Sequence, residues 1–228
     1  MSSRLLLVDN DVFVLLAAAR CLDRAIALLG FQQGHVLRLD ALPHMLRKSI
    51  AGRSTKFNRF TTEQREEALC QTERFAPLPK DSPKNEQAER DLTPEIQFDA
   101  ELYATLAAQP LTFLHSGDST AMKRVAGVTG LLHVKTAVAG RIIALESILY
   151  LLVQNDGYSP TAECFRESMA ANETVKWAFR APEQDLMHPL ESVQSYLQSL
   201  CRVVKPGFIF CPPCPNSNQG ECTLPPVN

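Results

Sequence analysis

The chain has 228 residues, of which 45% are hydrophobic and 21% charged, and its formal net charge is −2. That balance belongs to a folded globular protein and excludes wholesale disorder. The near-neutral charge excludes a surface built everywhere for nucleic acid, so any such surface must be local.

The length suits one domain of moderate size, or one domain with a helical extension. The apolar run at residues 5–8 is too short for a signal peptide and stops at acids, and no stretch is long enough to cross a bilayer. A cytoplasmic chain that meets no membrane is therefore expected. Of its seven cysteines, Cys21, Cys70, Cys164 and Cys201 sit among apolar neighbours and read as reduced structural residues.

Residues 5–8, Leu-Leu-Leu-Val, read as a buried strand, because strands covered on both faces run apolar without alternation. The strand delivers Asp9 and Asp11 at its carboxyl end, where ligands bind in open α/β sheets. Taken alone, Asp11 could merely cap the next helix and Asp9 satisfy backbone amides. Residues 12–29 read as one Leu- and Ala-rich helix stopped at Gly30. Residues 36–39 read as a second strand, and 41–49 as a helix with Pro43 in its first turn.

Arg47, Lys48, Arg53, Lys56 and Arg59 then form a basic stretch of a single sign. Its functional reading is neutralisation of nucleic-acid phosphates, and its plain reading is a solvated face balanced by the acids that follow. Thr61 and Thr62 open a capped helix running toward Arg74. Residues 76–94, with Pro77, Pro79, Pro83 and Pro94, read as a surface excursion. From Glu95 a helix is expected through Ala107, ending before Pro110.

Residues 111–118 repeat the opening pattern: an apolar strand, a tight turn at Gly117, then Asp118 at the start of a helix over 119–126. A helix at 131–139, a strand at 141–144 and a helix at 145–154 continue the alternation. It predicts a three-layer α/β/α fold with a central, mainly parallel sheet. From Gly157 the chain reads as helical, through 163–169, 173–179 and 189–203. The organisation expected is a domain over 1–156, a helical C-terminal extension over 157–205 and a Pro/Cys-rich disordered tail over 206–228.

Three motifs together carry a family resemblance. Val8-Asp9-Asn10-Asp11-Val12 resembles the opening motif of PIN-domain nucleases. The run from Phe98 and Asp99 through Glu101 to Ala107 is similar to their later acid-bearing helix, and Leu114-His115-Ser116-Gly117-Asp118 to their fourth-strand motif. Over residues 4–150, the resemblance implies a PIN-like fold and metal-dependent hydrolysis of phosphodiesters, more often of RNA. It implies Asp9, Asp99 and Asp118 as the catalytic acids holding Mg2+ or Mn2+, with Asp11 and Glu101 as further ligands and Ser116 in support. Such ions want hard oxygen ligands, and they activate water and stabilise charge on the leaving oxygen.

The chain departs from the pattern where the family places a Glu on the helix after the second strand. Here that helix reads Ala41 to Lys48 without one, and Asp40 only precedes it. A catalytically degenerate protein- or RNA-binding module is thus the second reading. A response-regulator receiver is a third, on the acidic opening and the Val204-Lys205-Pro206 run. The expected partner is nucleic acid, RNA by resemblance, and the helical extension leaves room for a homodimer or an inhibitory protein. His44 and His115 read as surface or structural residues and Trp177 as core. Cys211, Cys214 and Cys222 make an incomplete zinc set in a non-functional tail.

Overall fold

The computed structural model describes residues 4–183, 189–204 and 207–210. Among these, β1 (Leu5–Val8), β2 (Val36–Arg38), β3 (Ala76–Pro77), β4 (Thr112–Ser116), β5 (Ile142–Ala144) and β6 (Ile209–Phe210) form one sheet. Its order is β3-β2-β1-β4-β5-β6 and every neighbouring pair is parallel. The three-layer α/β class expected from the alternation is the one found, with a sheet that is wholly parallel. A receiver uses the order 2-1-3-4-5, so the sheet speaks against that reading.

Leu6, Leu7 and Leu114 are fully buried and Val8 is nearly so, which is why β1 and β4 carry apolar runs. Val8 pairs with His115, so the two central strands end level with one another. Strand order reverses between them, and their carboxyl ends open the crevice where doubly wound sheets bind ligands.

The sheet is flanked by helices. α1 (Asn10–Ala18), α2 (Leu22–Leu28), α3 (Leu42–Ile50) and α4 (Thr62–Thr72) pack together, as do α5 (Glu86–Ile96), α6 (Ala100–Ala108), α7 (Ser119–Gly127) and α8 (Leu132–Val138). Right-handed crossovers put these two groups on opposite faces. The chain continues through α9 (Leu145–Asp156), α10 (Tyr158–Phe165), α11 (Glu173–Ala178) and α12 (Pro189–Val204), and α12 packs on both α9 and α7. No helix among the described residues is long and apolar enough to cross a membrane.

Where the elements differ from expectation, local chemistry gives the reason. Residues 12–29 form two helices, because α1 ends in a Schellman motif at Arg20, held at φ 55, with Cys21 N donating to Leu16 O at 3.0 Å. Gly30, at φ 75, ends α2 with the same motif, and Phe31 N donates to Ile26 O at 3.1 Å. Residues 76–94 are more than a surface excursion: they hold edge strand β3 and most of α5, which buries Ala88, Leu92 and Ile96 at a helical spacing. The helix expected from Glu95 breaks at Gln97, held at φ 50, and restarts as α6.

β6 lies in the segment read as tail, where Ser147 Oγ donates to Phe210 O at 2.9 Å. Cys211, Cys214, Cys222, Lys205 and the side chain of Phe98 lie outside the described residues. Cys21, Cys70 and Cys164 are free thiols. Trp177 is not core: it is 49% exposed, with the Arg180 guanidinium 5.3 Å from its ring centroid.

α4 starts with a complete capping box. Gln64 N donates to Thr61 Oγ1 at 3.2 Å, and Thr61 N donates to Gln64 Oε1 at 3.0 Å. Gln64 Nε2 also donates to Ser168 Oγ at 3.2 Å, joining α4 to the helical extension. Thr61→Ala is expected to cost about 1 kcal/mol. A fall of ~2–4 °C in the melting temperature by circular dichroism would show it.

Candidate functional site

Asp9 follows β1 directly, and its amide donates to His115 O at 2.9 Å, which ties the strand end to β4. It occupies the N-cap position of α1 but makes no side-chain cap bond there. It is 9% exposed. Burial, then the charges of Asp11 and Asp99, push its pKa up to about 7, while Lys56 and the Asn10 amide pull the other way.

Asp118 follows β4 by one residue. Its Oδ1 accepts from Thr120 N at 2.8 Å and from Ala121 N at 2.9 Å, capping α7. Ser116, itself buried, holds the turn by accepting from Asp118 N at 3.2 Å. Gly117 makes the approach to α1 close: a Cβ there would stand 3.1 Å from Val12 Cγ2. A larger residue would need Val12 to give by a few tenths of an ångström.

Asp99 reaches the same place from a third direction. The break at Gln97 leaves it at the N-cap of α6, again without a cap bond. Burial, the charge of Asp118 and a hydrogen bond shared with Asp118 raise its pKa to about 6, with Asp11 adding and Lys56 subtracting. Four carboxylates, from the end of β1, the first turn of α1, the start of α6 and the end of β4, thus act on one another's charge. Like charges so placed disfavour ionisation, and the group gains by sharing a proton or a cation.

The cleft beside them has a volume of about 220 Å³ and is walled by Asp11, Asp118, Arg59, Ser119, Thr120 and Asn172. Arg59 Nη2 lies 3.3 Å from Asp11 Oδ1. Asn172 comes from the helical extension, where its Oδ1 caps α11 by accepting from Val175 N at 3.1 Å. Among the described residues, no three His, Cys, Asp or Glu side chains stand as a group able to hold a metal ion.

The other expected residues fall in three places. Glu101 turns outward and pairs with Lys84 at 3.7 Å. Lys56 and Arg59 border the acids. Arg47 and Lys48 are exposed in the last turn of α3 and Arg53 is exposed beyond it, with Arg47 within electrostatic reach of Arg38. On α3 it is Met45 that approaches the strand end, its Sδ 3.7 Å from Asn10 Nδ2. Asp40 instead meets Lys80 at 3.7 Å. His115 is buried and its Nδ1 bonds Ile143 O at 2.9 Å; burial holds its pKa down to about 4, so it is a neutral core residue. His44 is exposed.

Sequence reasoning missed two residues. Asn172 carries only a helix-start signal, Asn before Glu173. Tyr103 lies in an apolar run, yet its hydroxyl is buried and feels the charges of Asp99, Asp118 and Asp9. The clue lay in its spacing of four from Asp99.

Fold and site together define an α/β protein with an all-parallel six-stranded sheet and a group of acids at its topological switch point. No family model, curated protein or solved structure matches the chain.

Proposed function

We propose that this chain is a PIN-like nuclease that hydrolyses phosphodiester bonds with Mg2+ or Mn2+, acting on RNA. The observation that carries the reading is the placing of Asp9 and Asp118 just beyond the ends of β1 and β4, with Asp99 at the start of α6 and Asp11 in the first turn of α1, where the charges of Asp11, Asp99 and Asp118 raise the pKa of Asp9 or of Asp99. The donor set is all oxygen, which suits a hard cation. Magnesium uses one or two protein carboxylates and keeps several waters, so a cluster without three converging ligands fits it. Asp99 and Asp118, which raise one another's cost of ionisation, would hold the ion, and Asp9 and Asp11 would accept from its waters.

When bound, the ion would activate a water and stabilise charge on the leaving oxygen. The chain's own groups orient the substrate. Arg59 and Lys56 meet its phosphates, while Ser119, Thr120 and Asn172 offer hydrogen bonds along the cleft wall. Water adds to phosphorus, the P–O ester bond breaks, and the departing oxygen leaves protonated.

A second reading, a catalytically degenerate protein- or RNA-binding module, is favoured by α3, which carries no acid and turns Met45 toward Asn10. One assay separates the two: cleavage and binding of labelled single-stranded RNA and DNA with Mn2+, Mg2+ or chelator, beside Asp9→Asn and Asp118→Asn. Metal-dependent cleavage lost in both variants is expected. Absence of metal-dependent cleavage, or cleavage untouched by both substitutions, overturns the nuclease. Retained RNA binding without cleavage establishes the second reading.

Lys56 gives a finer test. Its charge lowers the pKa of both Asp9 and Asp99, so Lys56→Ala removes a stabiliser of their ionised forms. The acidic limb of the kcat/KM profile is expected to move to higher pH by less than about one unit. Because Lys56 is exposed, the displacement should shrink at high salt. A profile that stays in place at low salt removes Lys56 from the site.

A further inference from the structure

Trp177 is the chain's single tryptophan and, among the described residues, the one Phe, Tyr or Trp side chain that is exposed rather than buried or half-buried. On α11 the buried positions are Val175 and Ala178, and the indole turns outward from between them. The backbone beneath it is pinned. Phe179 is buried against the rings of Tyr158 and Phe165, with centroids 5.3 Å and 5.9 Å away, and the Tyr158 hydroxyl stands 3.2 Å from Ala178 O and 2.9 Å from Ala181 O. A platform fixed in this way loses little freedom when a partner covers it.

The Arg180 guanidinium lies over the indole, 5.3 Å from its centroid, and leaves the ring 49% exposed. Of the acids nearby in the chain, Glu173 pairs with Lys176 at 3.4 Å and Glu183 accepts from Ser159 Oγ. Arg180 is therefore the charge presented beside the ring. A flat apolar face backed by a cation suits a nucleobase, which stacks on the ring, and a phosphate, which meets the guanidinium.

This face continues from the cleft. Asn172 walls the cleft with Ser119 and Thr120 and also caps α11, and Trp177 follows about 7.5 Å further along the helix. A stacked strand advances about 3.4 Å per nucleotide, so the ring stands about two nucleotides from a phosphate held at Asn172.

We propose that Trp177 and Arg180 form a nucleobase-stacking subsite on the helical extension, taking an unpaired base of a single-stranded substrate whose backbone enters the cleft beside Asn172. This rests on the nucleic-acid reading of the cleft. In a duplex the faces of the bases already cover one another, so the subsite selects single strands.

Because the chain has one tryptophan, its fluorescence reports the subsite directly. The full chain, in chelator to prevent cleavage, is titrated with a short single-stranded RNA, with the duplex of that sequence, and with a strand of the same length lacking bases. Saturable quenching by the single strand alone is expected. Trp177→Ala is expected to weaken binding of a labelled single strand, read by fluorescence anisotropy, ~5–150-fold, and Trp177→Phe by less. Since the ring is exposed, both variants should keep the far-UV circular dichroism and melting temperature of the wild type.

Quenching by the duplex or by the strand without bases equal to that by the single strand overturns the subsite. Full retention of single-strand binding in Trp177→Ala overturns it too, while the reading of the cleft stands. Should the alanine variant lose its fold, the quenching pattern and Trp177→Phe decide in its place. A self-associated chain that Trp177→Phe or Trp177→Ala turns into monomers in sedimentation means that a second copy covers the ring, and the inference falls. A wild-type chain that binds no nucleic acid, in chelator or with Mg2+, removes the reading of the cleft and this inference with it.

Discussion

Asp9→Asn is expected to do two opposite things: to end cleavage and to make the protein more stable. On the nuclease reading, loss of the Asp9 carboxylate removes several kcal/mol of transition-state stabilisation, so a fall of at least ~10³-fold in kcat/KM is expected. The stability gain follows from the titration of the acid. Burial and the neighbouring acids push its carboxyl up to about 7 in the folded chain, against an ordinary 3.8. Between those values the native state binds a proton that the unfolded chain has released, so stability falls as pH rises. The penalty is absent below about pH 4 and full above about pH 7.

An uncharged Asn carries no such penalty. At pH 8 and in chelator, Asp9→Asn should therefore melt roughly 5 °C or more above the wild type, and the gap should close by pH 4. Adding Mn2+ should close it from the other side, by stabilising only the wild-type chain. Melting curves at pH 4, 6 and 8 check the sign. A variant that melts lower at pH 8 would mean that the Asp9 carboxylate is satisfied in the free protein.

Asp118 separates chemistry from stability by a pair of substitutions. Its Oδ1 caps α7 through Thr120 N and Ala121 N, and Asn caps a helix about as well as Asp. Asp118→Asn is expected to keep the melting temperature within ~2 °C while lowering kcat/KM by at least ~10²-fold. Asp118→Ala should lose the same activity and about 1 kcal/mol of stability besides, a further ~2–4 °C. Should Asp118→Asn cleave normally, the carboxylate serves only as a cap.

The legible parts of this fold were those that physics writes over several residues. Leu5 to Val8 and Leu111 to Ser116 announced central strands because burial on both faces demands continuous apolar runs. The acids after them pointed to a candidate site because strand ends at a switch point face the crevice. Thr61 and Thr62 announced a capped helix. The parts that stayed hidden are decided by single residues or by distant packing. Arg20 and Gln97 take left-handed conformations that nothing about their side chains requires, so one helix became two and another restarted at Asp99.

β3 and β6 are two residues long, too short for any periodicity, and tertiary pairing alone makes them strands. Within α6, the acid two residues after Asp99 drew notice and the tyrosine four residues after it did not. Helix geometry ranks them the other way. Residues two apart diverge, which sends Glu101 to Lys84, while residues four apart align.

β6 also bears on how the chain is made. It pairs with β5 through Ile142 opposite Ile209 and Ile143 opposite Phe210, and it arrives only after α9 to α12 have been laid down. During synthesis, β5 waits with a bare hydrogen-bonding edge of Ile142, Ile143 and Ala144, the kind of apolar edge that recruits other chains. The ribosome must release the chain through Phe210 before that edge is sealed. A chain cut after residue 156 should therefore collect in inclusion bodies even though every acid of the cluster is present in it.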